Sequence, residues 1–187
     1  MLIDLSVKVT KSMFENAAAN EKLASFGHLG THFDVMNKEF PLSFTKRKGI
    51  LFDVRSISER DITEHDININ MVEQEMFVVF YSGFIEKTAY GTKEYFKEHP
   101  QLSDSLIDEL IKAKISLVGV DFAGVRRGKE HTPKDQYLAD RGIFVIENLI
   151  NLGEIVRNEK VGKFEADIFP VNYEGLTGLP CRVIART

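Results

Sequence analysis

A mixed α/β or α+β fold is predicted by three features of this sequence. Short runs of β-branched and aromatic residues at 50–54, 76–81, 115–121 and 143–147 have the length and composition of buried strands. Between the second and third runs the apolar spacing lengthens, so that Leu106, Ile107, Leu110 and Ile111 fall on one helical face. The third feature is punctuation: Gly and Pro are scattered along the chain and form no linker, and no repeat or low-complexity tract interrupts it. With 187 residues, this predicts one domain spanning 1–187 with a full core.

The elements follow in order. After the strands at 50–54 and 76–81, Ser103 is the expected N-cap of the helix carrying Leu106 to Ile111, which feeds directly into the strand at 115–121. A shorter helix is predicted with Thr132 as its cap, Pro133 at its first position and Gly142 just past its end, delivering the chain into the strand at 143–147. Two further strands are expected at 167–171 and 182–185, joined through Gly175 and Gly178.

Composition excludes several functions. A chain 43% hydrophobic and 28% charged is that of an ordinary globular protein, and a net charge of -4 gives no reason to expect nucleic-acid binding. The short basic runs at 46–48 and 126–127 read as solvated loops, although Arg126, Arg127 and Lys129 follow a strand where substrate contacts often sit. Charges at Asp4, Lys8 and Lys11 break any signal-peptide core, and no apolar run reaches membrane-spanning length, which predicts a cytoplasmic protein without membrane contact. The single cysteine, Cys181, rules out an internal disulfide or a thiolate metal cluster and reads as an inert thiol.

The segment that carries chemistry is Gly27-His28-Leu29-Gly30-Thr31-His32-Phe33-Asp34, where two imidazoles and a carboxylate lie within seven residues. Gly30 followed by β-branched Thr31 predicts a turn entering a strand. On that strand His32 and Asp34, two apart, point the same way, and the turn folds His28 back towards them. A histidine pair alone fits a polar surface turn equally well; Asp34 and the intervening Gly-Thr weigh towards a metal site.

The string His28-x-Gly-Thr-His32-x-Asp34 resembles the motif of the cyclase family, the kynurenine-formamidase-like metal-dependent hydrolases. Other segments are similar to that family in order along the chain: Ile3-Asp4-Leu5-Ser6, Val118-Gly119-Val120-Asp121, the Glu147-Asn148-Leu149 segment and Gly178-x-Pro180-x-Arg182. The resemblance implies an α/β fold with a swivelling β/β/α core, a homodimer or homotetramer, a small-molecule substrate and one or two divalent metals, zinc or manganese, per chain. It implies a first metal on His28, His32 and Asp34, and a second shared by Asp34 with a later histidine and with Glu147. The activity implied is arylformamidase-like hydrolysis of a small amide, formamide or lactam.

Two positions depart from the pattern. Lys38 stands where the family has its acid/base histidine, and Met36 where it has proline. A lysine serves as a proton shuttle only when its surroundings lower its pKa, so Lys38 reads either as a catalytic group or as a loop residue binding a substrate carboxylate. Asp135 stands where the family has the later histidine, which would make a second position of Asp34, Asp135 and Glu147 richer in oxygen and shift it towards manganese. His131, four residues earlier, is a fallback ligand, a substitute acid/base group, or a loop residue ahead of the helix. His65 and His99 read as exposed bystanders. These departures keep open an alternative function, a non-catalytic metal- or ligand-binding relative that retains the fold.

Overall fold

The computed structural model describes residues 1–18 and 26–187. In chain order the elements are β1 (Leu2–Asp4), α1 (Lys11–Ala18), β2 (His32–Asp34), β3 (Lys46–Asp53), β4 (Phe77–Tyr81), α2 (Phe84–Lys87), α3 (Lys93–Glu98), α4 (Asp104–Lys112), β5 (Leu117–Val120), α5 (His131–Ala139), β6 (Phe144–Glu147), α6 (Gly153–Val156), β7 (Val161–Pro170) and β8 (Gly178–Arg186). The strands form one sheet in the order β1-β8-β2-β6-β5-β4-β3-β7, and β7 pairs again with β8. Seven strands thereby close into a barrel, with β1 laid against the outer half of β8. The run β3-β4-β5-β6 is parallel, while β2 is antiparallel to both β6 and β8. The expected α/β class with a mixed sheet and short helices is the class observed.

Strand alternation sorts the side chains into two apolar clusters. Leu51, Phe77, Val79, Leu117, Phe144 and Ile146 belong to one, and their neighbours Ile50, Phe52, Val78, Phe80, Val118 and Val145 to the other. This is the period of two expected when both faces of a parallel sheet are covered. Gly119 sits close against the first cluster: a Cβ there would meet Phe77 at 2.6 Å and Leu149 at 2.7 Å. Helix α4 covers the second cluster with Leu106, Ile107 and Leu110, all buried. Each of these side chains contributes about 1.5–3 kcal/mol by leaving water. Ser103 caps α4 as expected, its hydroxyl accepting from Leu106 N at 3.1 Å.

The shorter helix differs from expectation at its start. It begins at His131, directly after a 3-10 turn over Gly128–Glu130, with no side-chain cap, so Thr132 lies inside the first turn. Pro133 is still accommodated, because first-turn N–H groups have no intrahelical partner to lose. Gly142 closes the segment in a left-handed conformation, φ +73°, as predicted. The last two strands are longer than expected: β7 pairs with β3 over residues 161–167 and with β8 over residues 165–170.

Candidate metal centre

The side chains of interest are brought together by the β2/β6 pairing. Phe33 turns into the first apolar cluster, which places His32 and Asp34 on the opposite face of β2. His32 lies directly across from Glu147 in the antiparallel register, and Asp34 lies across from Val145. Helix α5 contributes His131 and Asp135, which share a helical face at a spacing of four. His28 returns over the strand through a turn in which Gly30 has φ +74°.

Two groups of donor atoms result, and Asp34 belongs to both: His28, His32 and Asp34, then Asp34, His131, Asp135 and Glu147. In the first, His28 Nδ1, His32 Nε2 and Asp34 Oδ1 form a triangle with edges of 3.1, 3.2 and 3.4 Å. Ligands about 2.0–2.1 Å from a tetrahedral cation are separated by about 3.3 Å, so the triangle has the dimensions of one face of such a site. In the second, His131 Nε2 is 3.1 Å from Asp135 Oδ2 and 3.1 Å from Glu147 Oε1, while Glu147 Oε2 reaches His32 Nε2 at 3.4 Å.

These distances suit charge attraction, yet among the described residues both Asp34 oxygens, Asp135 Oδ1 and Glu147 Oε1 are buried without a partner in hydrogen-bond geometry. Three carboxylates that are 1–3% exposed carry a large desolvation cost unless cations face them. In the metal-free protein the imidazoles supply that charge. Burial disfavours a charged His131, but the close contacts and charge of Asp135 and Glu147 overcome it and raise its pKa to about 12. His32 is raised in the same way to about 9, mainly by Asp34. Burial pushes Asp34 up, but His32 and His28 outweigh it and hold the carboxyl well below the usual range. Asp135 is raised to about 7 by burial, with Asp34 and Glu147 as like charges. Such a donor set fits a divalent cation, which would satisfy the orphaned oxygens and replace the imidazole protons.

The ligand side chains are braced from behind. His32 Nδ1 donates to Gly30 O at 3.0 Å, leaving Nε2 to face the carboxylates, and His28 Nε2 meets Thr177 Oγ1 at 2.9 Å. The His131 ring packs over Gly124, φ +98°, where a Cβ would meet it at 2.7 Å. Thr177 and Gly124 carry no metal-ligand signal in the sequence and were not anticipated.

Sequence comparison bears on this arrangement. The model of the cyclase family, described as "Putative cyclase", matches residues 3–126. The chain belongs to the cyclase family. No curated protein matches it. Among solved structures, one described as a potential metal-dependent hydrolase with cyclase activity is similar over 99% of this chain and 96% of its own, with 22% identity and a TM-score of 0.77. A predicted metal-dependent hydrolase from Bacillus stearothermophilus aligns over 99% and 97%, with 21% identity and a TM-score of 0.72. Isatin hydrolase A from Ralstonia solanacearum aligns over 99% and 91%, with 15% identity and a TM-score of 0.76. At these identities the likeness establishes the cyclase fold.

The remaining residues singled out from the sequence fall as follows. Lys38 stands apart from the ion pairs of the cluster: among the described residues its one ion pair is with Asp140, just past α5, at 2.7 Å. Arg126 is engaged by Asp61 and Glu130, each at 2.6 Å, and so holds its own loop in place. His65 is exposed as expected. His99 is not: it is 1% exposed and stacked on Phe122, because the Pro100–Leu102 segment runs against Val125 and carries the ring inward. Burial lowers its pKa to about 4. No described helix is long and apolar enough to cross a membrane.

Proposed function

We propose that this cyclase-family protein is a metal-dependent hydrolase that cleaves a carbonyl–nitrogen bond in a small amide, formamide or lactam, as an arylformamidase does. The observation that carries the reading is the pair of donor groups joined through Asp34, whose buried oxygens lack hydrogen-bond partners among the described residues. His28, His32 and Asp34 would hold one divalent cation, and Asp34, His131, Asp135 and Glu147 a second. A cation so held lowers the pKa of bound water towards neutrality and polarises a carbonyl oxygen. The first group offers two nitrogens and one oxygen and suits zinc; the second offers one nitrogen among carboxylates and suits manganese.

The chain's own residues then have separable tasks. Asp34 ties the two positions together. Gly30 O keeps the proton of His32 on Nδ1, so that Nε2 is presented to the site. In this reading His131 holds the metal in place of the acid/base role, which its contacts with Asp135 and Glu147 support. His28 and His131 are the most exposed members of the two groups, 26% and 31%, and so mark the side from which a small substrate arrives. A homodimer or homotetramer is part of the same proposal, checked by sedimentation velocity.

One observation favours the non-catalytic alternative. Lys38, at the place of the family's acid/base histidine, is occupied by Asp140 at 2.7 Å. Elemental analysis of untagged protein, followed by hydrolysis assays on N-formyl aromatic amines and lactams with and without chelator, tests both readings. Bound metal with chelator-sensitive turnover supports the hydrolase. Bound metal without turnover on any of these substrates supports the alternative, and protein that takes up neither zinc nor manganese overturns both metal readings.

A further inference from the structure

Behind the donor groups lies a chain of buried polar contacts that no ligand role explains. Asn148 follows Glu147 directly and adopts a left-handed backbone, φ 60°, which an asparagine tolerates better than most side chains. It is 1% exposed, yet its whole amide is used: Nδ2 donates to Gly30 O at 2.9 Å, and Oδ1 accepts from the Tyr95 hydroxyl at 2.7 Å. Its backbone carbonyl accepts from Thr31 Oγ1 at 2.7 Å, and its N–H donates to Phe122 O at 3.2 Å. Gly30 O is the same carbonyl that accepts from His32 Nδ1. Tyr95, on α3, is fully buried. Tyr90 adds a second phenol to the same turn, its oxygen accepting from Gly30 N at 2.7 Å.

The chemistry of this chain is directional. Gly30 O requires a donor, which sets the Asn148 amide with Nδ2 towards it and Oδ1 away. Oδ1 is then a buried acceptor, which the Tyr95 hydroxyl satisfies. One residue thus holds the turn that aims His32 and the backbone of the strand end that aims Glu147, and a helix distant in sequence locks that residue.

We propose that Asn148, clamped by Tyr95, is a positioning residue that presets His32 and Glu147 for divalent metal, so that α3 tunes metal affinity without contacting the metal. This rests on the metal-site reading above. Outer partners of ligand side chains alter metal affinity by about 10- to 100-fold, and that is the effect expected here.

The test is competitive Zn²⁺ titration of metal-stripped protein against a chromophoric chelator, with the thermal midpoint of each metal-free form measured alongside. The variants are Tyr95→Phe, Asn148→Gly and, as a control, Tyr81→Phe, which deletes a hydroxyl bonded to Glu86 instead. Asn148→Gly adds no charge, suits the left-handed backbone and removes both the acceptor for Tyr95 and the donor to Gly30 O, so it tests the same clamp from its other side should Tyr95→Phe not fold. The expected result is Zn²⁺ binding weakened about 10- to 100-fold in the first two variants and unchanged in the control. If all three lose thermal stability and bind Zn²⁺ as tightly as the native chain, Tyr95 and Asn148 are merely structural and the proposal is overturned. If the native chain binds no Zn²⁺, the metal reading fails first and this inference falls with it; the native titration separates the two failures.

Discussion

Two histidines within electrostatic reach of each other, the half-buried His131 and the buried His99, are driven to opposite charge states. His131 faces Asp135 and Glu147, which overcome its burial and raise its pKa to about 12. His99 stacks on Phe122 with its Nδ1 committed to Pro100 O and its Nε2 unpartnered among the described residues, and burial lowers its pKa to about 4. Burial alone discharges an imidazole; what it is buried against decides whether that outcome stands. The His131 region is therefore built to hold positive charge, and the His99 region to exclude it.

The largest effect that sharpens this contrast comes from Asp34. Because its carboxylate belongs to both donor groups, Asp34→Ala is expected to abolish metal binding at both positions and lower hydrolysis by about 100-fold or more. Asp135→Ala is expected to lose metal only from the second. Metal content per chain reads both, and equal loss in the two variants would show that the positions are not separable.

The pH dependence of metal-free stability should run in opposite directions for the two regions. His32 has a folded pKa raised from 6.5 to about 9, so its contribution is complete below pH 6.5 and is lost as pH rises through 9. The amount is about 3 kcal/mol. Asp135, raised from 3.8 to about 7, acts in the same direction at lower pH: the folded chain binds its proton more tightly, and stability falls as pH rises through 7. His99 acts the other way. Its folded pKa lies below 6.5, so the unfolded chain binds more protons between pH 4 and 6.5, and stability worth about 3 kcal/mol is lost as pH falls across that window. Urea titrations from pH 4 to 9 on metal-stripped protein should show less acid sensitivity in His99→Phe than in the native chain. An unchanged profile would mean that His99 is accessible to protons when folded. Added zinc should restore stability more as pH rises through 9, where the His32 proton no longer has to be displaced.

The smallest effect is expected at Lys38. Its ammonium pairs with an exposed Asp140, so Lys38→Ala should leave the thermal midpoint and metal content unchanged. A fall in turnover of about 100-fold or more with metal retained would instead identify Lys38 as the acid/base group.

Legibility in the sequence followed the range of the interactions involved. The His28 to Asp34 motif was readable because its members are separated by a turn and a period of two, both local. The start of α5 was misplaced because Thr132 and Pro133 imitate a cap, while the preceding 3-10 turn carries the chain into the helix without one. That shift matters, because it puts His131 and Asp135 on one face of the same helix. His99 was misread since its flanking Glu98 and Pro100 look like loop, and only the contact with Val125 and Phe122 buries it.

By itself the sequence determined the α/β class, the family, and the local cluster of His28, His32 and Asp34, because strand period, helix face and turn chemistry are properties of neighbouring residues. Closure of the barrel, the register that sets His32 opposite Glu147, the packing of α5 over that face and the clamp of Tyr95 on Asn148 were decided only in three dimensions. They depend on contacts between residues far apart in the chain, and no local pattern encodes which carboxylate will face which imidazole once both have left water.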